Sequence, residues 1–546
     1  MHASMRQNEY AARRTAGAKY AAADGRFVSP GHAPDLLAAI IRSGDRVCLE
    51  GDNQKQADFL ARTLAALDPH QINQLHMVQS SIVLPEHLEV FRRGIAHTLD
   101  FAYAGPQSKA LAKLVEDGAV RIGAIHTYLE LFGRYFVDLT PQVALLVAEQ
   151  CDAQGNLYTG GNTEDTPTIA EATHFSHGIV VVQVKERVAR LPRVDIPADW
   201  TDFIIVTGSD CHLQPLFTRD PAQITSQQVL MAMLALKGVY REYAVQSLNH
   251  GIGYATAAIE LLLPTYGAEL GLKGACCTHW VLNPHPALIP AIEAGFVQRI
   301  HSFGGEPGME RYVRAHPDVF FIGSDGNMRS NRCAAHFAGL YAIDLFIGAT
   351  LQIDPLGNSS TAIRGMIAGF GGGPNLGGTA PGQRHISEAN RRAGAWDNGI
   401  FRPRKLVVQM TPTVSEKKGI PVFVDELDAI ALAREGKFAA PPVMITGDQV
   451  THIITEAGIA YLDRCPDCNV RRQAIAAVAG DTTVGRTANA AVSAELRRRK
   501  LVQTPADLAI DPASATPDRL AARSIDDLVR LSGGLYDPPP QFRRRS

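Results

Sequence analysis

A short pattern, Asp152-Ala-Gln-Gly155-Asn156, returns some two hundred residues later as Asp354-Pro-Leu-Gly357-Asn358. Each copy follows an apolar, strand-like run, at 141–148 (PQVALLVA) and 345–353 (LFIGATLQI). Upstream, 45–51 (DRVCLEG) reads as a strand closing in a glycine turn, and 242–251 (EYAVQSLNHG) matches it. From Gly51 to Gly155 is 104 residues and from Gly251 to Gly357 is 106. Between these landmarks each half carries a helix-like segment ending in acid-x-Gly, at 111–118 (LAKLVEDG) and 288–295 (LIPAIEAG). Three landmarks repeated in one order imply a tandem duplication, and the period is far too long for a solenoid. The expected architecture is two similar α/β domains facing one another.

At 546 residues the chain is too long for one core. Runs at 179–184, 203–207, 319–322 and 406–410 read as central parallel strands, and helical patterns alternate with them. After about residue 465 the composition turns helical and rich in Arg and Ala. The expected division is an N-terminal extension at 1–35, a first α/β domain at 36–230, a second at 231–480, and a helical C-terminal extension with a loose tail at 481–546. The net charge of −2 argues against nucleic acid as the main partner. No apolar segment approaches a membrane span and the N-terminus lacks a signal core, so the cytoplasm is expected.

Residues 365–378 (GMIAGFGGGPNLGG) hold seven glycines in fourteen positions, just past the strand-like run at 342–353. Glycine bares its N–H groups to a ligand, and such a loop past a strand can hold a phosphate or an oxyanion, or be a plain turn. Asn53, Gln54 and Lys55 follow the first glycine turn, where amides and a cation suit an acid substrate, or a helix cap suits Asn53. Gln352, Asp354 and Asn358 flank the second glycine loop and are equally common turn formers. Gly251-Ile-Gly253 lacks the third glycine of a dinucleotide fingerprint. Cys465-Pro-Asp-Cys468 has no second CxxC to complete a zinc site, so its thiols read as idle and no metal is expected. In Cys276-Cys277-Thr278-His279 the neighbours are too close in sequence to act as a nucleophile–base pair, which leaves His279 as a site residue for another reason.

The order of these pieces resembles the coenzyme A-transferase superfamily, whose members are built from two similar α/β halves with the active site between them. The resemblance rests on Gly251-Ile-Gly253, 342–358 (AIDLFIGATLQIDPLGN), Gly369-Phe-Gly371-Gly372 and 454–462 (ITEAGIAYL), and spans about residues 40–480. Within it, 51–61 (GDNQKQADFLA), 150–175 (QCDAQGNLYTGGNTEDTPTIAEATHF) and the Pro374-Asn-Leu-Gly-Gly378 continuation are most similar to the alpha subunits of biotin-independent malonate decarboxylases. The resemblance implies a transferase that turns acetyl-S-carrier and malonate into malonyl-S-carrier and acetate. It implies no cofactor on this chain itself. The partners would be an acyl carrier protein bearing a coenzyme A-like phosphopantetheine group (phosphoribosyl-dephospho-CoA) and decarboxylase beta and gamma subunits.

Ordinary coenzyme A-transferases attack the thioester with a glutamate in a segment like H-[ST]-E. Here the matching segment is Cys277-Thr278-His279, with no glutamate in register. Direct attack by the carboxylate of malonate is the alternative, since positioning alone can lower such a barrier by roughly 7–11 kcal/mol. Gly371 and Gly372 are then expected to donate to the oxyanion, Asn53 and Gln54 to hold the dianion, and Gly251, Gly253 and Asn358 to shape the pocket, with Gln352 beside them. His279 is expected to orient or polarise the acyl groups. Glu260 and Glu456 are the remaining candidates for a nucleophile.

Overall fold

The computed structural model describes residues 2–49, 54–161, 164–302, 304–324, 328, 342–372, 387–415 and 419–543. The chain divides into two compact units. The first comprises Met1–Gln214 with Arg364–Gly372 and Leu432–Pro442; the second comprises Pro215–Ile363, Gly373–Ala431 and Val443–Ser546. The break falls at Gln214/Pro215, earlier than the expected 230, and two segments from the later half of the chain belong to the first unit.

The first unit is built on strands β1 (Phe27–Val28), β2 (Arg46–Leu49), β3 (Leu75–Ser81), β4 (Ala96–Tyr103), β5 (Arg121–Ile125), β6 (Val143–Cys151), β7 (Ile179–Arg187) and β8 (Phe203–Val206). Their order across the sheet is β1-β8-β7-β6-β2-β3-β4-β5, and every pair along it is parallel. β6 and β7 lie near the middle, and both begin with six consecutive buried residues, as strands covered on both faces do. The N-terminal extension is part of this unit. Its helix His2–Ala18 is tied down by Arg13, 3% exposed, which donates to the Asp45 carboxylate and to the Ile40 carbonyl at 2.8 Å.

The second unit is built on β9 (Ser247–His250), β10 (His279–Val281), β11 (Arg299–His301), β12 (Leu345–Gly348), β13 (Leu406–Met410), β14 (His452–Thr455), β15 (Gly458–Tyr461) and β16 (Val502–Gln503). The order is β11-β10-β9-β12-β13-β14-β15-β16. Strands β9 to β14 pair in parallel, while the 454–462 motif forms the antiparallel turn from β14 to β15. Five strands therefore recur in one order: β7-β6-β2-β3-β4 in the first unit and β13-β12-β9-β10-β11 in the second.

Two expectations change here. Residues 319–322 are not a strand: Pro317 opens a helix, Pro317–Phe320, and Phe321 ends it at φ 53°. Proline is pre-set for the first helical position, and this local signal overrides the β-branched run. The C-terminal segment is helical at Ala490–Arg498 and Ile525–Leu531, but it also supplies the edge strand β16, and Tyr536 is 1% exposed. It is an integral layer of the second unit. No described helix is long and apolar enough to cross a membrane.

Candidate active site

In open α/β sheets, ligands gather at the carboxyl ends of the strands. The described part of the glycine loop lies at such an end in the first unit. Ala104 N–H donates to the Ala368 carbonyl at 2.9 Å, Phe370 and Gly371 N–H both donate to the Ala102 carbonyl at 2.8 and 2.9 Å, and Tyr128 N–H donates to the Gly371 carbonyl at 3.1 Å. The loop thus runs as a short added strand against the end of β4 and against Thr127 and Tyr128, just past β5. Gly369 at φ 83° and Gly371 at φ 63° are left-handed. A Cβ on Gly369 would collide with the Ala102 carbonyl, so no other residue fits there.

These bonds revise the expected donors. The Gly371 N–H is committed to Ala102, whereas the Gly372 N–H has no acceptor among the described residues. Gly371 thus shapes the loop.

In the second unit, β9 ends at His250 and passes through Gly251-Ile-Gly253 into the helix Tyr254–Leu262. Gly251 N–H donates to the Ile347 carbonyl at 2.7 Å, and a Cβ on Gly251 would sit 3.1 Å from the Cα of Gly348. Glycine there lets the strand end lie flush against β12. Gly253 is the N-cap and offers no side chain to the first helical N–H groups; Thr256 Oγ1 donates to the carbonyls of Gly251 and Gly253 at 2.7 and 3.0 Å.

Beneath this turn, Glu260 is 1% exposed. Its Oε1 lies 2.9 Å from His250 Nδ1 and 3.0 Å from His285 Nδ1, and His250 Nε2 lies 2.8 Å from the Tyr240 hydroxyl. Burial pushes the Glu260 carboxyl up, but the two imidazoles outweigh it and hold the group at about 2. A carboxylate so enclosed is not presented to substrate. Glu456 accepts from Thr413 N–H at 3.1 Å and from its hydroxyl, in the turn between β14 and β15. Both candidate glutamate nucleophiles therefore have structural duties.

Several other expected residues make hydrogen bonds within the fold. Asn358 Nδ2 donates to Asp354 Oδ2 at 2.8 Å, and its Oδ1 accepts from Gly447 N–H at 2.9 Å, so its amide is spent inside the turn. Gln352 Oε1 accepts from Asp428 N–H at 2.8 Å and caps the helix Asp428–Arg434. His279 opens β10, at the amino end of the strand, with its side chain exposed and Nδ1 2.9 Å from Thr278 Oγ1. Strand direction thus places it opposite the ligand-bearing edge. Gln54 is 1% exposed, and its carbonyl accepts from Gln214 N–H at 2.6 Å. Asn53 and the stretch 373–378 lie outside the described residues. Burial raises the Cys465 thiol to about 11 and raises Cys276 and Cys277 as well, so none of these is an activated thiolate.

Two groups escaped sequence reasoning. In the first unit Asp100 binds His76 and His126, each at 2.6 Å. In the second, Glu306, 1% exposed, accepts from the Thr218 N–H at 2.8 Å and its hydroxyl at 2.6 Å, and burial pushes it up to about 7. An acid inside the otherwise apolar run 99–104 (LDFAYA) was the available signal for Asp100.

Comparison with known proteins places this geometry. The family model described as malonate decarboxylase, alpha subunit, transporter matches residues 3–545. A protein of Malonomonas rubra named acetyl-S-ACP:malonate ACP transferase is 56% identical over 514 residues, 93% of each chain. The crystal structure of a Pseudomonas malonate decarboxylase hetero-tetramer in complex with malonate contains a chain 51% identical to this one, with a TM-score of 0.95 and 99% of each chain covered. At 17% identity and a TM-score of 0.57, over 82% of this chain and 81% of the other, a putative citrate lyase alpha subunit from Streptococcus mutans shares the fold. This chain belongs to the malonate decarboxylase alpha-subunit family.

Proposed function

We propose that this chain exchanges acetate for malonate on the thiol of an acyl carrier protein, converting acetyl-S-carrier and malonate into malonyl-S-carrier and acetate. The observation that carries this reading is the 56% identity, along nearly the whole chain, to a transferase of that name. The carrier's thiol would end a coenzyme A-like arm. Beta and gamma decarboxylase subunits would consume the malonyl thioester, in keeping with the hetero-tetramer in which a relative is found. Seven described cysteines are all free thiols, which suits the cytoplasm.

The chemistry needs no enzyme nucleophile. A malonate carboxylate oxygen attacks the acetyl carbonyl carbon, the C–S bond breaks, and the carrier thiolate leaves a mixed anhydride. The thiolate then attacks the malonyl carbonyl and acetate departs. The enclosure of Glu260 and the hydrogen bonds of Glu456 favour this route over a glutamyl thioester. Gly372 N–H would stabilise the tetrahedral oxyanion, a donor worth roughly 3–4 kcal/mol in acyl transfer. The uncapped helix start after Gly253 suits a carboxylate. Asn53 would supply a further amide.

The test is exchange of labelled acetate and labelled malonate into the carrier thioester by the purified chain with its carrier. Incorporation of both labels is expected. Failure of either with active carrier contradicts the proposal; turnover of free acetyl-CoA that added carrier leaves unchanged would favour a coenzyme A-transferase or hydrolase instead.

A further inference from the structure

Asp100 lies on β4, two residues before Ala102, whose carbonyl receives both Phe370 and Gly371. It is 3% exposed. Its Oδ2 lies 2.6 Å from His76 Nε2, on β3, and its Oδ1 lies 2.6 Å from His126 Nε2, one residue past β5. One carboxylate thus links three neighbouring strands. His126 is fully buried, and the residues that follow it, Thr127 and Tyr128, form the second edge against which the glycine loop lies.

The main chain is irregular at this point. Leu99 pairs with Ile122, but Phe101 pairs with Ile125, so Gly123 and Ala124 stand opposite Asp100 alone. Such a bulge leaves the ladder unpaired and bends the strand. Past the bulge the ladder resumes with Phe101 opposite Ile125 and the His126 N–H donating to the Phe101 carbonyl at 2.8 Å, and the Asp100–His126 contact is a side-chain tie beside that single backbone bond. Gly123 has a further use: a Cβ there would collide with the Asp100 carboxylate, so glycine leaves the space the carboxylate occupies.

We propose that Asp100, acting through His126, is a positioning residue that sets the distance between the two backbone edges holding Gly369–Gly372. This rests on the reading of Gly372 as an oxyanion donor. The brace touches no substrate. It acts on transfer because a donor displaced by about 1 Å can cost on the order of 100-fold in rate.

Three variants of the assembled enzyme test this. Asp100→Asn keeps the shape and removes the charge. Gly123→Ala displaces the carboxylate without altering either histidine. His126→Gln keeps a donor near the Nε2 position and serves as the conservative variant, with His126→Leu as its control. Amide hydrogen exchange at Phe370 and Gly371 is read alongside kcat and KM for malonate. Asp100→Asn, Gly123→Ala and His126→Leu are expected to lower Gly371 protection at least about tenfold and kcat by about 10- to 100-fold, with KM changed less than about threefold. His126→Gln is expected to recover most of both. Wild-type protection in Asp100→Asn and Gly123→Ala overturns the brace, whatever the activity. Lost protection with unchanged kcat overturns its role in catalysis and, with it, the reading of Gly372. Should Asp100→Asn fail to fold, the Gly123→Ala and His126 pair decides by the same criteria.

Discussion

In the first unit Asp152 Oδ1 accepts from the N–H groups of Gln154 and Asn156, each at 2.9 Å, Asn156 Nδ2 donates to Asp152 Oδ2 at 2.8 Å, and Asn156 Oδ1 accepts from Ala198 N–H at 3.0 Å. In the second unit Asp354, Leu356, Asn358 and Gly447 make the same four bonds, at 2.9, 2.9, 2.8 and 2.9 Å. Gly155 and Gly357 turn at φ 91° and 87°. Each unit also holds one buried carboxylate between two histidines, but these braces differ. Asp100 sits on a strand and links three strands beneath the glycine loop, whereas Glu260 sits on a helix and links it to the end of β9. Repeated turns mark shared framework; the units differ in a docked glycine loop in the first and a helix start without a side-chain cap in the second.

The sharpest way to break this contrast is Gly369→Val. With φ 83° and the Ala102 carbonyl where a Cβ would sit, the variant is expected to lose transfer by about 100- to 1,000-fold while circular dichroism stays native. Full activity would remove the glycine loop from the mechanism.

Glu260→Ala compares the braces by stability. It leaves two buried imidazoles without their shared acceptor, and urea unfolding is expected to show a loss of about 3–5 kcal/mol. A loss below about 1 kcal/mol would mean that the network is not a brace.

Glu306 sharpens the picture through pH. Its folded value of about 7 lies above the ordinary carboxyl value, so the folded state binds the proton more tightly than the unfolded state. Stability is fully present below the unfolded value and falls as pH rises toward and through about 7, by about 3 kcal/mol in all. Glu306→Gln is expected to flatten this slope and to be the more stable protein at pH 8. An unchanged slope would place the titration elsewhere.

The smallest expected effects test the shared turns. Asn156→Ala and Asn358→Ala should each cost about 1–2 kcal/mol, equally, with kcat unchanged. A tenfold fall in kcat for Asn358→Ala alone would return that residue to the substrate pocket.

Much of the framework was legible in the sequence. Runs such as IVVVQV and LVVQM announced β7 and β13 because parallel strands are buried on both faces. The paired Asp-x-x-Gly-Asn turns stood out because both Asx bonding and a left-handed glycine leave a compositional trace. The site was less legible. Nothing local in the sequence 364–372 says that it belongs to the first unit, or that Ala102 takes the Gly371 N–H, because hydrogen-bond partners distant in sequence leave no periodicity. That His279 opens β10 rather than following it was not legible, because a three-residue strand leaves no periodicity from which to read its bounds. Asp100 was passed over because a single acid in a short apolar run acquires meaning only when its two histidines, each more than twenty positions away, arrive beside it.

If malonate itself displaces acetate from sulfur, the chain is a template rather than a nucleophile. A single turnover with acetyl-S-carrier and malonate labelled with heavy oxygen in its carboxylates tests this most directly. Direct displacement puts one heavy oxygen in the acetate released. Unlabelled acetate, with the heavy oxygen found instead in a glutamate of the protein, would contradict it.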